Sequence, residues 1–407
     1  MAQSAQLRVA PPPKVSMNYV VMANLFLLLF LGVADNQMIA ALLPAFVRSF
    51  GISVSLAGLL VVVYSVAAGL AAFASGALSD HHGRRGFLLA GVAGFALASF
   101  ISSRTHTLPA LMAARALTGL AAGTISTCSI AFAGDWFPYG VRGRAIGLIS
   151  SAYFVAPIVG VPLAGQIADR FGWRGVFAAF AALAVTVTLT SLTLPKDSLP
   201  PPTAPHRVRA SLRRFQSFLS QRDLAAALSI AFLISGGLVG FITYIGQWLS
   251  DRFQVRTGSI TLVFMVGGVA SVIGAPVGGI LADRWGKRNV SIASNVLLAL
   301  AVAAIPFQHW GLALMIVFSA TGLGAGLRQG PVTALMTEMV PGNQRGSFIA
   351  FRNVASQLGI GTVAFAGGLL YQHQGYVAVT TLCATMAALV AILLTTHITE
   401  PVEDSRW

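Results

Sequence analysis

Apolar runs of membrane length recur twelve times along this chain, and that feature constrains its fold more than any other. They lie near 18–47, 52–78, 87–103, 108–133, 145–168 and 174–194, and then near 224–249, 258–282, 289–306, 310–338, 347–371 and 375–397. About 20 mainly apolar residues of helix cross a bilayer, and in lipid a spanning element has to satisfy its own backbone. The expected fold class is therefore an all-α membrane protein with twelve transmembrane helices. Only 9% of the residues are charged, against roughly 25% in soluble domains, so most of the surface meets something other than water. The first run is too long for the short apolar core of a cleavable leader, and no small-residue cleavage site follows it. It is read as a span.

Charge gives the orientation. Lys and Arg concentrate in cytoplasmic loops. With the N-terminus inside, the inner loops and tails hold 17 basic residues against 6 outside, with Arg115, Arg328 and Arg352 inside spans. Both termini are expected in the cytoplasm. The Pro- and Arg-rich stretch 195–223 is too polar to span and too rich in proline to be helical throughout. It reads as a linker between an N-terminal bundle, 18–194, and a C-terminal bundle, 224–397, with tails at 1–17 and 398–407. The net charge of +14 does not indicate nucleic acid, because the basic residues fall in short clusters between apolar runs rather than on one face. Cys128 and Cys383 lie in separate spans and the seven histidines near span ends. Neither set has disulfide or metal-ligand spacing, so no metal and no cofactor is expected.

The two bundles repeat each other at an offset of 203 residues. Gly-Ala-Leu-Ser-Asp-His-His-Gly-Arg-Arg (76–85) aligns with Gly-Ile-Leu-Ala-Asp-Arg-Trp-Gly-Lys-Arg (279–288). Asp135 to Pro138 with Arg142 aligns with Glu338 to Pro341 with Arg345, and Gly165 and Gly172 align with Gly368 and Gly375. A third copy, Gly-Gln-Ile-Ala-Asp-Arg-Phe-Gly-Trp-Arg (165–174), follows the first by 89 residues, about three spans, on the opposite side of the membrane. Nested three-span repeats of opposite topology belong to alternating-access carriers.

In these motifs the chain resembles the major facilitator superfamily along essentially its whole length. The signature between spans two and three, Gly-x-Leu-x-Asp-x-x-Gly-Arg-Arg/Lys, stands here as Gly76, Leu78, Asp80, Gly83, Arg84 and Arg85. Arg115, Gly119 and Gly123 in span four resemble a second signature. Asp35, eight residues before Leu43-Pro44, is similar to the drug:proton antiporter branch. The antiporter signature of span five, ending Gly-Pro-x-x-Gly-Gly, reads here Ala156-Pro157-Ile-Val-Gly160-Val161, with two glycines replaced. The resemblance implies the major facilitator fold, two pseudo-symmetric six-helix bundles, in a bacterial inner membrane protein working as a monomer.

Site expectations follow from charge placed where it is costly. Asp35 lies near mid-span, where an ionisable group has to face a cavity or a partner. It is the candidate for proton coupling, tuned by Arg115, with a fixed structural pair as the bland reading. Arg328 is open to three: ligand for an anionic group, counterweight to Asp35, or partner for carbonyls freed near Pro331. Arg352 is assigned to the cytoplasmic gate. Gln37, Tyr153, Tyr244, Gln247, Asn295 and Gln357 are cavity candidates beside Asp35 and Arg328, although each alone is more often an inter-helix hydrogen bond. A cytoplasmic gate is expected from Gly76, Asp80, Gly83, Arg84, Arg85, Asp135 and Arg142, and again from Asp283, Arg288, Glu338 and Arg345. Small residues at four-residue spacing, such as Gly267, Ser271, Ala275 and Gly279, allow close helix contact.

The function expected is a proton-coupled secondary transporter that exports a small or amphipathic solute by rocker-switch alternating access. The runner-up is proton-coupled import of a metabolite, including an anionic one. No Gly-x-x-x-x-Gly-Lys-Ser/Thr loop for nucleotide is present. No paired carboxylates, Ser/His pair or metal set lies within the spans, so an enzyme is not expected. The partners are the solute, protons and the lipid bilayer.

Overall fold

The computed structural model describes residues 18–196, 218, 220–340 and 345–398. The expected tails and most of the expected linker lie outside these, as do the side chains of Asp80 and Arg345. In chain order the helices are α1 (Tyr19–Phe50), α2 (Val54–His82), α3 (Arg84–Arg104), α4 (Leu108–Trp136), α5 (Tyr139–Ser150) and α6 (Ala152–Val155). A π-helical turn, Ala156–Gly160, leads into α7 (Val161–Ser191). The second half holds α8 (Arg222–Phe253), α9 (Thr257–Trp285), α10 (Lys287–Ala304), α11 (Leu312–Glu338), α12 (Arg345–Gln374) and α13 (Tyr376–Thr396). Among the described residues eleven helical runs are long and apolar enough to cross a membrane. One of them, Gly140–Ser191, is 52 residues long and breaks at Gly172, where φ is 70° and ψ 175°. The break makes it two crossings, which accounts for the expected twelve.

The helices begin where side chains can replace missing backbone partners. Asn18 accepts from the Val21 amide, Ser53 from Leu56 and Thr107 from Ala110, which satisfies donors that the first helical turn leaves free. Sharp reversals fall at glycines. Gly83, Gly172, Gly286 and Gly375 have φ of 87°, 70°, 85° and 75°, a region that glycine enters without steric cost. These four are related by the offsets of 89 and 203 residues, so each three-helix unit turns on the same glycine.

Close backbone approach sets the packing between helices. A side chain at Gly322 would collide with the Gly267 backbone, one at Gly278 with Leu327, and one at Gly326 with Ser271. Those contacts hold α9 against α11. In the first half Gly119 and Gly123 do the same for α4 against α2, at the backbones of Tyr64 and Ala68. The two halves meet along α1 and α8, along α2 and α12, and where α9 packs on the π-turn and α7.

Candidate functional site

The first-half centre is a buried ion pair. Asp35 on α1 and Arg115 on α4 are both fully buried, with Arg115 Nη1 donating to Asp35 Oδ2 at 2.5 Å. The Tyr64 ring on α2 lies 4.5 Å from the guanidinium carbon, and its hydroxyl donates to the Gly32 carbonyl at 3.1 Å. Gly119 and Gly123 explain the arrangement, because only with no side chain there can α2 lie close enough for Tyr64 to cover Arg115. Asp35 Oδ1 and Arg115 Nε and Nη2 have no hydrogen-bond partner among the described residues. Leaving such atoms unpaired in an apolar interior costs free energy, so the pair is a place where stability has been given up.

Sequence reasoning joined Asp35 to Arg115 but missed Tyr64. A tyrosine in an apolar span carries no signal of its own, and only the Gly119/Gly123 spacing on the facing helix hinted at a close neighbour. Tyr153, beyond this pair, is 45% exposed. Arg352 Nη2 donates to Thr333 Oγ1 at 3.3 Å. Gln357 is half-buried against Gly69 across the α2–α12 contact, and Gln37 is half-buried on α1.

The second half centres on Arg328. Its Nη1 donates to Asn295 Oδ1 at 2.7 Å and its Nη2 to the Ile234 carbonyl at 3.4 Å. A pocket of about 10 Å³ beside it is lined by residues including Ile234, Leu238, Leu298 and Cys383, room for about one water. Both bonds of Arg328 run to the protein's own groups, and the carbonyl belongs to α8 rather than to the Pro331 turn. Asn295 is Arg328's partner. Tyr244 is fully buried, donates to the Ala364 carbonyl and fills the space beside Gly58 and Gly368, where the halves touch. Gln247 Nε2 donates to Asp251 Oδ1 at 2.8 Å, and Tyr371 donates to the other carboxylate oxygen at 2.8 Å.

The signature residues form the same joints twice. Arg84 pairs with Asp135, and Lys287 with Glu338 at 2.6 Å. Arg85 donates to the Leu192 carbonyl at 2.8 Å, and Arg288 to those of Leu394 and Thr395 at 2.9 and 2.5 Å. Arg142 donates to the Phe137 carbonyl, and Asp283 is exposed. Each joint lies within one half. Hydrogen bonds between the halves are found at the opposite end. Asp169 accepts from the Gly258 amide at 2.9 Å, Ser55 donates to Gln372 at 2.5 Å, and Arg48 donates to Ser250 at 3.2 Å. The first two are again one contact repeated, since residue 258 is 55 plus the offset, and 169 and 372 are both acid positions of the motif.

Known proteins place this geometry. The family model described as Major Facilitator Superfamily matches residues 25–272 and 227–406. The chain is 29% identical over 369 residues to YwfA, an uncharacterised MFS-type transporter of Bacillus subtilis, covering 89% of this chain and 88% of that one. It is 30% identical over 373 residues to NarK2, a probable nitrate/nitrite transporter of Mycobacterium tuberculosis, covering 85% and 86%. A crystal structure of a D-xylose-proton symporter superposes with a TM-score of 0.78 at 17% identity, covering 95% of this chain and 99% of that one. At that identity the likeness shows the fold.

Proposed function

From the premise that the chain belongs to the Major Facilitator Superfamily and is a multi-pass membrane transporter, we propose that it is a proton-coupled carrier that exports a small or amphipathic solute by alternating access. The observation that carries the reading is the position of Asp35. Its carboxylate is buried against Arg115, and the adjacent Ala34 packs on Gly160 of the π-turn. Pro157 and Ile158 of that same turn pack on Gly268 of the second half. A proton arriving on Asp35 removes the negative charge that holds Arg115. The guanidinium, stacked on Tyr64, then needs new partners, and the turn of α1 that carries Asp35 shifts with it. The π-turn conveys that shift to α9, the helix against which the halves rock. π-turns inside α-helices often sit at functional sites, and this one occupies the stretch that resembles the antiporter signature.

In this reading the halves are the bundles 18–194 and 224–397, the protein is a monomer in a bacterial inner membrane, and both termini are cytoplasmic. The contacts between Asp169 and Gly258 and between Ser55 and Gln372 then seal the outer end, and the structure is the state closed outside. A second reading, proton-coupled import of an anionic metabolite, draws on Arg328 and Arg352. With Asp35 engaged by Arg115, both are deep cations without a carboxylate partner among the described residues.

The test is counterflow in proteoliposomes containing a pH-sensitive dye, with lipophilic cations, neutral amphiphiles and organic anions as cargo. Export coupled to protons predicts that an imposed inward proton gradient drives solute out of the cell-equivalent side and that Asp35→Asn uncouples the two flows. Solute moving in the same direction as protons, with Arg352→Gln abolishing anion transport, would establish the second reading. Solute flow indifferent to both pH and Asp35→Asn would sink proton coupling altogether.

A further inference from the structure

A groove of about 680 Å³ opens on the outer flank of the first half, between α3 and the part of α7 that follows Gly172. Small residues form its floor, among them Ala96, Gly175, Ala178 and Ala182, and Phe100 and Val185 wall it. Arg104 and Arg174 stand together at one end. Arg174 is held in place, because its Nε donates to the Thr105 carbonyl at 3.0 Å while the guanidinium stacks 4.3 Å from the Trp173 ring. Arg104 lies over the Phe100 ring at 5.5 Å. Neither has a carboxylate partner among the described residues.

We propose that this groove binds an anionic phospholipid, with one acyl chain along the alanine floor and the phosphate between Arg104 and Arg174. Two arguments select this occupant. The first is length. At 1.5 Å per helical residue, Arg104 to Ala96 spans about 12 Å and Arg174 to Val185 about 16 Å. Half of a roughly 30 Å hydrocarbon core is the same depth, so the groove runs from the headgroup level to the midplane of one leaflet.

The internal repeat supplies a control. The same helix pair occurs in the second half as α10 and α13. There, 203 residues on, Phe307 stands for Arg104 and Val377 for Arg174, both exposed. The fold therefore builds this joint without arginines. Cations at this end also run against the charge bias that orients the chain. Paired in one half alone, at the mouth of an apolar channel, they match a phosphate joined to an acyl chain.

Native mass spectrometry on the full-length protein in detergent tests the assignment, with phosphatidylglycerol and phosphatidylcholine of identical chains as probes. Each surface cation near an anionic headgroup contributes about fivefold in affinity, so the pair predicts about thirtyfold preference for phosphatidylglycerol. Arg104→Gln with Arg174→Gln removes the preference while retention of phosphatidylcholine stays as it was. Ala178→Phe with Ala182→Phe, both at exposed positions, fills the groove and weakens both lipids. Thermal unfolding of each variant, measured alongside, shows that the fold persists. Equal retention of the two lipids by wild type, or a preference surviving the double glutamine variant, overturns the proposal. So does displacement of the lipid by inorganic phosphate alone, or a dimer mass that disappears when the groove is filled.

Discussion

Replacing Arg115 by Met leaves the Asp35 carboxylate fully buried and removes the ion pair it makes at 2.5 Å. Breaking a buried pair by removing one partner typically costs about 3–5 kcal/mol, whereas replacing both partners by apolar groups of similar volume is often neutral or stabilising. In a bundle of this size each kcal/mol moves the unfolding midpoint by about 2–4 °C. The single variants Arg115→Met and Asp35→Leu are therefore each expected to unfold about 6–20 °C below wild type. The double variant is expected near wild type, because Asp35 Oδ1 and Arg115 Nε and Nη2 are already unpaired and leave with the side chains. Intrinsic tryptophan fluorescence on heating reads this, with Trp173 of the same half buried. Proton-coupled transport is expected to be lost in all three. A double variant as unstable as the sum of the singles, or singles within about 2 °C of wild type, would refute the claim that these two residues form a strained, isolated pair.

Three further outcomes are expected. Asp169→Ala removes the carboxylate that accepts from the Gly258 amide at a helix start, a loss of about 0.5–2 kcal/mol. Pulsed spin-label distances between Ser53 and Arg256 should then gain a longer population; an unchanged distribution would mean that this contact does not hold the halves together. Gly322→Leu forces a side chain into the Gly267 backbone and is expected to lower stability by about 1–3 kcal/mol or more, visible as a depressed midpoint, whereas Gly279→Leu, in open space, is expected to be neutral. Lys287→Ala breaks an ion pair with both partners substantially exposed, so its effect on thermal stability is expected to stay below about 1 kcal/mol.

The number of crossings and the duplication were legible in the sequence, because span length is local physics and the repeat is written in the residues themselves. A bilayer requires about 20 apolar residues per helix, and positive φ favours glycine, as at Gly83, Gly172, Gly286 and Gly375, although Gln254 adopts it too with φ of 52°. Asp35 was joined to Arg115 in the sequence, but Arg328 also stood open as its counterweight, and the packing of α1 on α4 decides for Arg115. The merger of spans five and six into one helical run broken at Gly172 was not legible, nor was the π-turn at Ala156–Gly160, because both depend on how neighbouring helices press on that stretch.

What only the tertiary structure decided is which groups face which. The sequence by itself could expect Arg84, Asp135, Lys287 and Glu338 at the cytoplasmic ends of helices, but not which pairs close. It left Arg328 open among three readings, and Asn295, named in none of them as its partner, accepts from it because α10 and α11 bring residues 33 positions apart into contact. It gave no reason to place Tyr64 over Arg115 or Asp169 at the start of α9. Spacing along a chain fixes which residues share one helix face, whereas the partner across a gap is set by helices that approach only where glycines let backbones touch, and that approach is a property of the whole bundle.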